Sequence, residues 1–216
     1  MGRARGSGAI ALLWLASCGG GAEPAAGPRP AEGRSPAPVE EGIATFNDPQ
    51  KPQAERVEAL RGLRLLRDRD PVAFRRTYDR IKDRLWADAS LADGLGLSDL
   101  ELLAFVEAIG WLGDMKDSRA RLKMELHLDR ETVRRKRLPE TALAEVALGL
   151  GKFPESESAR ETLWAALKDP KERTVVRSSA MKALQSHHPA DLETRLLLIP
   201  VAPGDDWLRD LQSKLR

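Results

Sequence analysis

The body of this 216-residue chain consists of short segments whose apolar residues recur every three or four positions. Such segments begin at about residue 43, and in the stretch 53–67 Val57, Leu60 and Leu63 fall on one side of a helix. This spacing is typical of an amphipathic helix that buries one face. β-branched residues are sparse and no segment alternates with period two, which argues against strands. The sequence therefore predicts an all-α fold.

Local motifs mark where several of these helices begin. Asp70-Pro71 combines a preferred N-cap residue with the residue preferred at the first helical position. Ser98 and Glu101 have the spacing of a capping box, in which each side chain binds a free backbone N–H of the other. Further predictions are a second capping box at Ser158 and Glu161, and helices over residues 53–67, 71–86, 139–150, 191–198 and 205–215.

Two stretches of the chain match one another without a gap. The matched positions are Asp48-Pro49 with Asp169-Pro170, Arg56 with Arg177, Ala59 with Ala180, and Gly62-Leu63 with Ala183-Leu184. Small residues also end two further helices. The four small residues, spaced 46, 39 and 36 apart, are Gly62, Ala108, Ala147 and Ala183. Intervals of this length are typical of a repeated two-helix unit.

This pattern resembles the HEAT-repeat family, which has Asp-Pro at a turn, Val-Arg in the second helix, and small residues before a leucine. The match is best over 169–184. It is weaker elsewhere, because Val57 follows Arg56 in the reverse order and the middle units lack the Val-Arg step. The resemblance implies a short α-α superhelix, a HEAT- or armadillo-type solenoid of about four to five helical pairs, over residues 42–216. It also implies that Arg177 is structural and binds acidic side chains or carbonyls of the next unit. An irregular helical bundle is the alternative.

The first residues follow the plan of an export signal. Arg3 and Arg5 supply a positive start, and the apolar run 9–16 is too short to span a bilayer, which takes about 20 residues. Leu15-Ala16-Ser17-Cys18 resembles the lipobox of bacterial lipoproteins. The resemblance implies a cleaved signal peptide over 1–17, covalent lipid with fatty acyl chains such as palmitate on Cys18, and sorting to the outer membrane because Gly19 follows. The expected location is the bacterial cell envelope, facing the periplasm or the cell surface. The alternatives are a disordered N-terminus or a cleaved signal of no further meaning.

The segment 18–41 is rich in Gly, Pro and Ala and has no apolar periodicity, which predicts a disordered linker after the lipidated cysteine. The chain has 35 basic and 33 acidic residues. Removal of 1–17 takes away Arg3 and Arg5 and leaves no net charge, which argues against a nucleic-acid partner. Cys18 is the single cysteine, so the body has no disulfide and no thiol nucleophile.

Motifs of enzyme chemistry do not occur in this sequence. The three histidines, His127, His187 and His188, have no H-E-x-x-H spacing. His187-His188 is predicted to close a helix, where a cation suits the helix dipole. HEAT-like enzymes that bind iron carry repeated His-Glu pairs, and those pairs are missing here. The sequence therefore predicts no catalytic residue, no metal site and no bound cofactor.

One basic cluster is a candidate binding site. Its residues are Arg130, Arg134, Arg135, Lys136 and Arg137. Such a cluster suits anionic head groups or an acidic partner, and the alternative is a solvated helix end and turn. Four tryptophans near helix ends, Trp86, Trp111, Trp164 and Trp207, are predicted to pack between repeats. An exposed one would be a binding anchor.

Together these observations predict a membrane-tethered lipoprotein that is not an enzyme. Its helical repeats would act as a protein-binding scaffold or adaptor for another envelope protein. Two alternatives stay open: an enzyme or enzyme accessory subunit with an atypical site, and a module that contacts envelope lipid or peptidoglycan. A scaffold predicts a broad groove without buried carboxylates of shifted pKa, whereas an enzyme predicts a deep pocket with convergent polar groups.

Overall fold

A computed structural model describes residues 37–93, 96–129, 138–187, 189–201 and 204–215. These residues form eleven α-helices and one 3₁₀ turn, and no strand occurs among them. The helices are α1 (Ala37–Asn47), α2 (Gln53–Arg64), α3 (Leu66–Arg69), α4 (Pro71–Ala89), α5 (Asp99–Asp114), α6 (Ser118–Leu128), α7 (Glu140–Leu150), α8 (Glu157–Lys168), α9 (Thr174–Gln185), α10 (Pro189–Leu196) and α11 (Asp206–Leu215). The all-α prediction is confirmed. None of the described helices is both long and apolar enough to cross a membrane.

The long helices pack in consecutive pairs: α1 with α2, α4 with α5, α6 with α7, and α8 with α9. The second helices of the pairs, α2, α5, α7 and α9, form a row in which each contacts the next. Their buried apolar side chains belong to one continuous cluster that extends from Ile43 in α1 to Leu208 in α11. Each pair therefore buries its apolar surface against its neighbours as well as within itself.

Two of the predicted helix starts are confirmed in atomic detail. The Asp70 carboxylate accepts a hydrogen bond from the Ala73 N–H at 2.9 Å and begins α4. At the start of α5, the Ser98 Oγ accepts from the Glu101 N–H at 3.3 Å, and the Glu101 carboxylate accepts from the Ser98 N–H at 2.8 Å. These bonds satisfy backbone donors that have no partner inside the helix.

The second predicted capping box, at Ser158 and Glu161, is wrong. Helix α8 begins two residues earlier, because Ser156 is its N-cap and accepts a hydrogen bond from the Ala159 N–H at 3.2 Å. Ala159, the donor to this cap, is fully buried in the core. Ser158 lies inside the first turn and its carbonyl accepts from the Thr162 hydroxyl at 2.9 Å.

Helix α1 begins at Ala37, inside the segment that the sequence assigns to the linker, whereas residue 42 is the predicted start of the helical domain. Ile43 and Phe46 are buried on its inner face. Glu40 in its first turn accepts two hydrogen bonds from Arg80 of α4, at 2.5 and 2.8 Å. An acidic residue near a helix N-terminus also offsets the helix dipole. Packing against α2 and α4 therefore extends the helical domain toward the N-terminus.

The connection between α5 and α6 is a tight turn without glycine. Lys116 has the positive φ of 54° that closes α5, and the Asp117 N–H binds the Leu112 carbonyl at 3.1 Å. Asp117 then caps α6 and accepts from the Tyr78 hydroxyl at 2.8 Å. Burial alone would raise the pKa of Asp117, but the hydrogen bonds from Tyr78 and the α6 amides hold it below its usual value. Burial and this bond raise the pKa of Tyr78 to about 12.

An ion cluster joins three parts of the chain around Asp114, whose side chain is 1% exposed. Its carboxylate accepts from Arg64 Nε at 2.8 Å and from Arg67 Nη1 at 3.0 Å. Lys152 Nζ, just beyond α7, lies 3.3 Å away. A buried carboxylate is stable only when its charge is matched and its lone pairs are bonded, as they are here.

The two arginines at matched repeat positions are both buried but differ in their partners. Arg177 Nε donates to the Leu167 carbonyl of α8 at 2.9 Å, and its Nη1 donates to the Asp205 carboxylate just before α11. The expectation that Arg177 binds an acidic side chain further along the chain is confirmed, whereas the carbonyl that it binds belongs to α8 of its own pair. Arg56 is 9% exposed, and its Nε and Nη1 have no hydrogen-bond partner among the described residues.

Substitution of Gly151 by alanine is expected to lower the free energy of unfolding by about 1–3 kcal/mol. A Cβ atom at this position would lie 2.9 Å from the Ala183 Cβ and 3.0 Å from its Cα, so α7 and α9 would have to separate. Gly62→Ala is the matched control. Nothing lies within 4 Å of that Cβ position, and alanine should stabilise α2 by about 0.5–1 kcal/mol. Urea unfolding followed by circular dichroism measures both, and a loss at Gly62 equal to that at Gly151 would contradict the packing argument.

Candidate functional site

The functional residues predicted from the sequence lie outside the described residues. This applies to Cys18, the expected lipid attachment point, and to the basic cluster of Arg130, Arg134, Arg135, Lys136 and Arg137. Their roles stay predictions. The candidate site below is built from described residues and was not predicted from the sequence.

The four tryptophans are packed to different degrees, and none of them is fully exposed to solvent. Trp111 is fully buried and Trp164 is 3% exposed, while Trp86 and Trp207 are half-buried. Trp111 and Trp164 thus belong to the helical core, whereas packing of the tryptophans between repeats stays a prediction. Trp164 differs from the others because two cations lie over its ring. Lys168 Nζ is 5.6 Å and Arg195 Cζ is 5.3 Å from the ring centroid, within the range of a cation–π contact.

These two cations line a groove that we call the C-terminal groove. It has a volume of about 450 Å³ and is lined by Lys168, Arg195, Leu198, Ile199 and Pro200. Its charged lining residues are both basic. Its apolar part combines Ile199, which is buried, with Leu198, whose side chain is 80% exposed. The groove therefore offers positive charge and apolar surface side by side.

The lining residues are positioned by the C-terminal ends of α8 and α10 and by the turn that follows α10. Lys168 is the last residue of α8, and Arg195 lies in the last turn of α10. The chain then turns at 197–199, and the amide nitrogen of Gln212 in α11 donates to the Leu196 carbonyl at 2.7 Å and to the Ile199 carbonyl at 2.8 Å. Gln212 is itself 7% exposed. These two buried bonds hold the turn that displays Leu198 to solvent.

The charges in the C-terminal groove are unmatched within the described part of the chain. Lys168 and Arg195 form no ion pair with a described residue, and their contact is with the Trp164 ring. Other cations nearby are paired: Arg209 with Asp206 at 2.6 Å and Lys214 with Asp210 at 2.7 Å in α11. A contact with an aromatic ring does not give the N–H donors of Lys168 and Arg195 an acceptor atom. These donors can therefore bind an acceptor of another molecule.

A second groove, between α6 and α8, has the opposite charge. Its volume is about 370 Å³, and its carboxylates are Glu125, Asp129 and Asp169. Glu125 already pairs with Arg121 at 2.6 Å, and Asp169 accepts a hydrogen bond from the Lys171 N–H at 2.9 Å. These acidic side chains therefore take part in the protein's own helix and turn contacts.

Histidine and aspartate side chains, which often act in catalysis, make packing and pairing contacts within the protein here. His127 is fully buried and packs edge-on against Phe105, with 5.4 Å between ring centroids. His187 Nε2 lies 3.3 Å from the Leu150 carbonyl. Asp88 is a buried carboxylate; burial raises its pKa, and Arg84 at 3.4 Å opposes the shift. It does not line the C-terminal groove. Among the described residues, no group of three or more His, Cys, Asp or Glu could hold a metal ion.

The part of this site formed by Trp164 and Lys168 could have been predicted from the sequence. Trp164 and Lys168 are four residues apart on a predicted helix, which places them on one side of it. Arg195 and Leu198 are brought to the same place only by the packing of α10 and α11. Comparison of the chain with protein-family models, with curated protein sequences and with solved structures finds no match.

Proposed function

We propose that this chain is a lipid-anchored protein of the bacterial cell envelope whose helical repeats bind another protein as a scaffold or adaptor. The binding part of the proposal rests on one observation: in the C-terminal groove, Lys168 and Arg195, which have no ion-pair partner among the described residues, lie beside the exposed side chain of Leu198. Exposed apolar surface next to donors that lack an acceptor is typical of a recognition site.

We also propose that the helix pairs form a HEAT-like superhelix. The ordered contacts of α2 with α5, α5 with α7 and α7 with α9 support this proposal, because each repeat of a solenoid contacts its neighbours in turn. The bond from Arg177 to Asp205 adds support, since it links one helix pair to the segment that follows. A surface built from successive helices suits an extended protein partner.

The envelope location rests on the lipobox resemblance at Leu15-Ala16-Ser17-Cys18. A diacylglyceryl group with a further acyl chain anchors a protein firmly, since each buried CH₂ contributes about 0.8 kcal/mol. The linker after Cys18 would hold the helical domain away from the bilayer. Outer-membrane sorting is part of the proposal and follows from Gly19.

Substitution of Cys18 by alanine is expected to move the protein out of the membrane fraction of a Gram-negative host. The variant should also lose incorporation of an alkyne-labelled palmitate and should keep the mass of the unprocessed chain. Ser17→Ala is the matched control, because it keeps a small residue before the cysteine. Cell fractionation, in-gel detection of the label and intact mass measure the outcome. A Cys18→Ala protein that stays in the membrane with unchanged mass would refute the tether.

In-cell crosslinking tests the scaffold part separately. The expected result is a discrete crosslinked partner of the wild-type protein, identified by mass spectrometry and reduced in yield when the tether is lost. If no partner is captured and the purified protein turns over a compound from a small-molecule panel, the enzyme alternative replaces the scaffold.

A further inference from the structure

The C-terminal groove also indicates what kind of segment it binds. We propose that it takes an acidic segment of a protein partner, in which carboxylates flank an exposed apolar side chain. This proposal rests on the proposed function as a protein-binding scaffold and names the site and the chemistry of the partner.

The charged side chains of the groove favour an acidic ligand. Both charged lining residues are cations, and neither has an ion-pair partner in the described part of the chain. Lys168 and Arg195 both lie over the Trp164 ring, at 5.6 and 5.3 Å from its centroid. Since Trp164 is itself buried, the two cations are placed before a ligand arrives. Preplaced donors lose less conformational freedom when a carboxylate binds.

The apolar part of the groove favours a ligand that also carries an apolar side chain. Leu198 is 80% exposed, the largest exposure among the described large apolar side chains. It is held in place by the two hydrogen bonds from Gln212 to the Leu196 and Ile199 carbonyls. An exposed aliphatic side chain on a hydrogen-bonded turn, beside a concave surface, suits an apolar side chain of a partner. A ligand with carboxylates alone would leave this surface in water.

The shape of the site separates a peptide from a lipid surface. The groove is a half-open concavity with a volume of about 450 Å³, within the range of clefts that take ligands. A flat anionic bilayer would reach the tip of Leu198 but would not fill the space between α8 and the turn after α10. The observations therefore favour a peptide segment.

The test uses the full chain carrying Cys18→Ala, so that its result does not depend on the tether. The probe is a short fluorescent peptide in which glutamates alternate with leucines, measured by fluorescence anisotropy. The control probe has lysines in place of the glutamates. We expect saturable binding of the acidic probe that weakens with salt, and no binding of the basic one.

Variants locate the binding. Lys168→Gln and Arg195→Gln are each expected to weaken binding about tenfold, the size of one charged hydrogen bond. Leu198→Ser should weaken it by a similar factor. The double change Lys168→Glu with Arg195→Glu should abolish binding of the acidic probe and permit binding of the basic one. Thermal unfolding shows whether each variant is folded, and the exposed position of Leu198 predicts no loss of stability.

Matched controls lie outside the groove. Arg209→Gln and Lys214→Gln remove paired cations of α11, and Leu122→Ser removes a 52% exposed leucine of α6. All three should bind the acidic probe as the parent does. Equal loss in the groove variants and in these controls would overturn the proposal. So would binding to phosphatidylglycerol vesicles without binding to the acidic probe, which would assign the surface to lipid.

A photo-crosslinking amino acid at position 198 separates this inference from the proposed function. If a partner is captured in cells from other positions but not from position 198, and the acidic probe does not bind, the groove proposal fails and the scaffold stands. If position 198 captures a partner through an acidic segment of it, both proposals are supported.

Discussion

Replacing Arg177 with methionine is expected to lower the free energy of unfolding by about 3–5 kcal/mol. The guanidinium is fully buried, donates to the Leu167 carbonyl, and neutralises Asp205, which is 2% exposed. Methionine fills a similar volume but supplies no charge and no donor, so the Asp205 carboxylate would stay buried without this cation. The change would also loosen the contact between the α8–α9 pair and the start of α11. Chemical unfolding followed by circular dichroism measures the loss.

Two further variants test the cause of this loss. Arg177→Met combined with Asp205→Asn should recover part of the stability, because a neutral amide costs less to bury than a carboxylate. Arg56→Met is the matched control at the equivalent repeat position. Arg56 Nε and Nη1 are buried without a hydrogen-bond partner among the described residues, so the change should be neutral or stabilising. A loss at Arg56 as large as that at Arg177 would show that the ion pair is not the reason.

Truncation of Trp111 to alanine is expected to cost about 3–5 kcal/mol. The side chain is fully buried in α5. It stacks on Phe74 of α4, with 4.3 Å between ring centroids and 19° between planes, and its Nε1 donates to the Leu60 carbonyl of α2 at 3.1 Å. One residue thus joins three helices. The alanine variant would leave a cavity at their junction and a buried carbonyl without its donor.

The control for this prediction is Trp207→Ala. Trp207 is half-buried, so less apolar surface is lost, and the expected cost is well under half of that at Trp111. Urea unfolding of both variants, with near-ultraviolet circular dichroism as a probe of aromatic packing, gives the comparison. Similar losses in the two variants would contradict the assigned role of Trp111 as the junction.

The sequence predicted helices well where their start motifs are local. The Asp70 cap and the Ser98–Glu101 box depend on side chains that bond within four residues, so their chemistry is visible without a fold. The Ser158 prediction failed because Ser156, two residues earlier, offers the same chemistry and is the residue that caps α8.

Two helices were not predicted, α1 and α6. In α6 the buried face consists of Ala120, Met124, His127 and Leu128, whereas Leu122 and Leu126 are exposed. A histidine on the inner face and leucines on the outer face obscure the periodicity on which the prediction depends. The turn before α6 has Lys116 rather than glycine in the left-handed region, so the glycine that usually marks the end of a helix is missing as well.

The sequence by itself determined the all-α class, several helix starts and the expectation of a lipid anchor at Cys18, because these depend on neighbours in the chain. Only the tertiary structure decided which charges are matched. It brought Asp205 to Arg177, left two Arg56 nitrogens without a hydrogen-bond partner among the described residues, and placed Arg195 near Lys168 over the Trp164 ring. Whether two charges pair depends on the distance between them, and these residues are far apart in the sequence. Helix packing alone sets that distance, both for the buried charges and for the charges in the C-terminal groove.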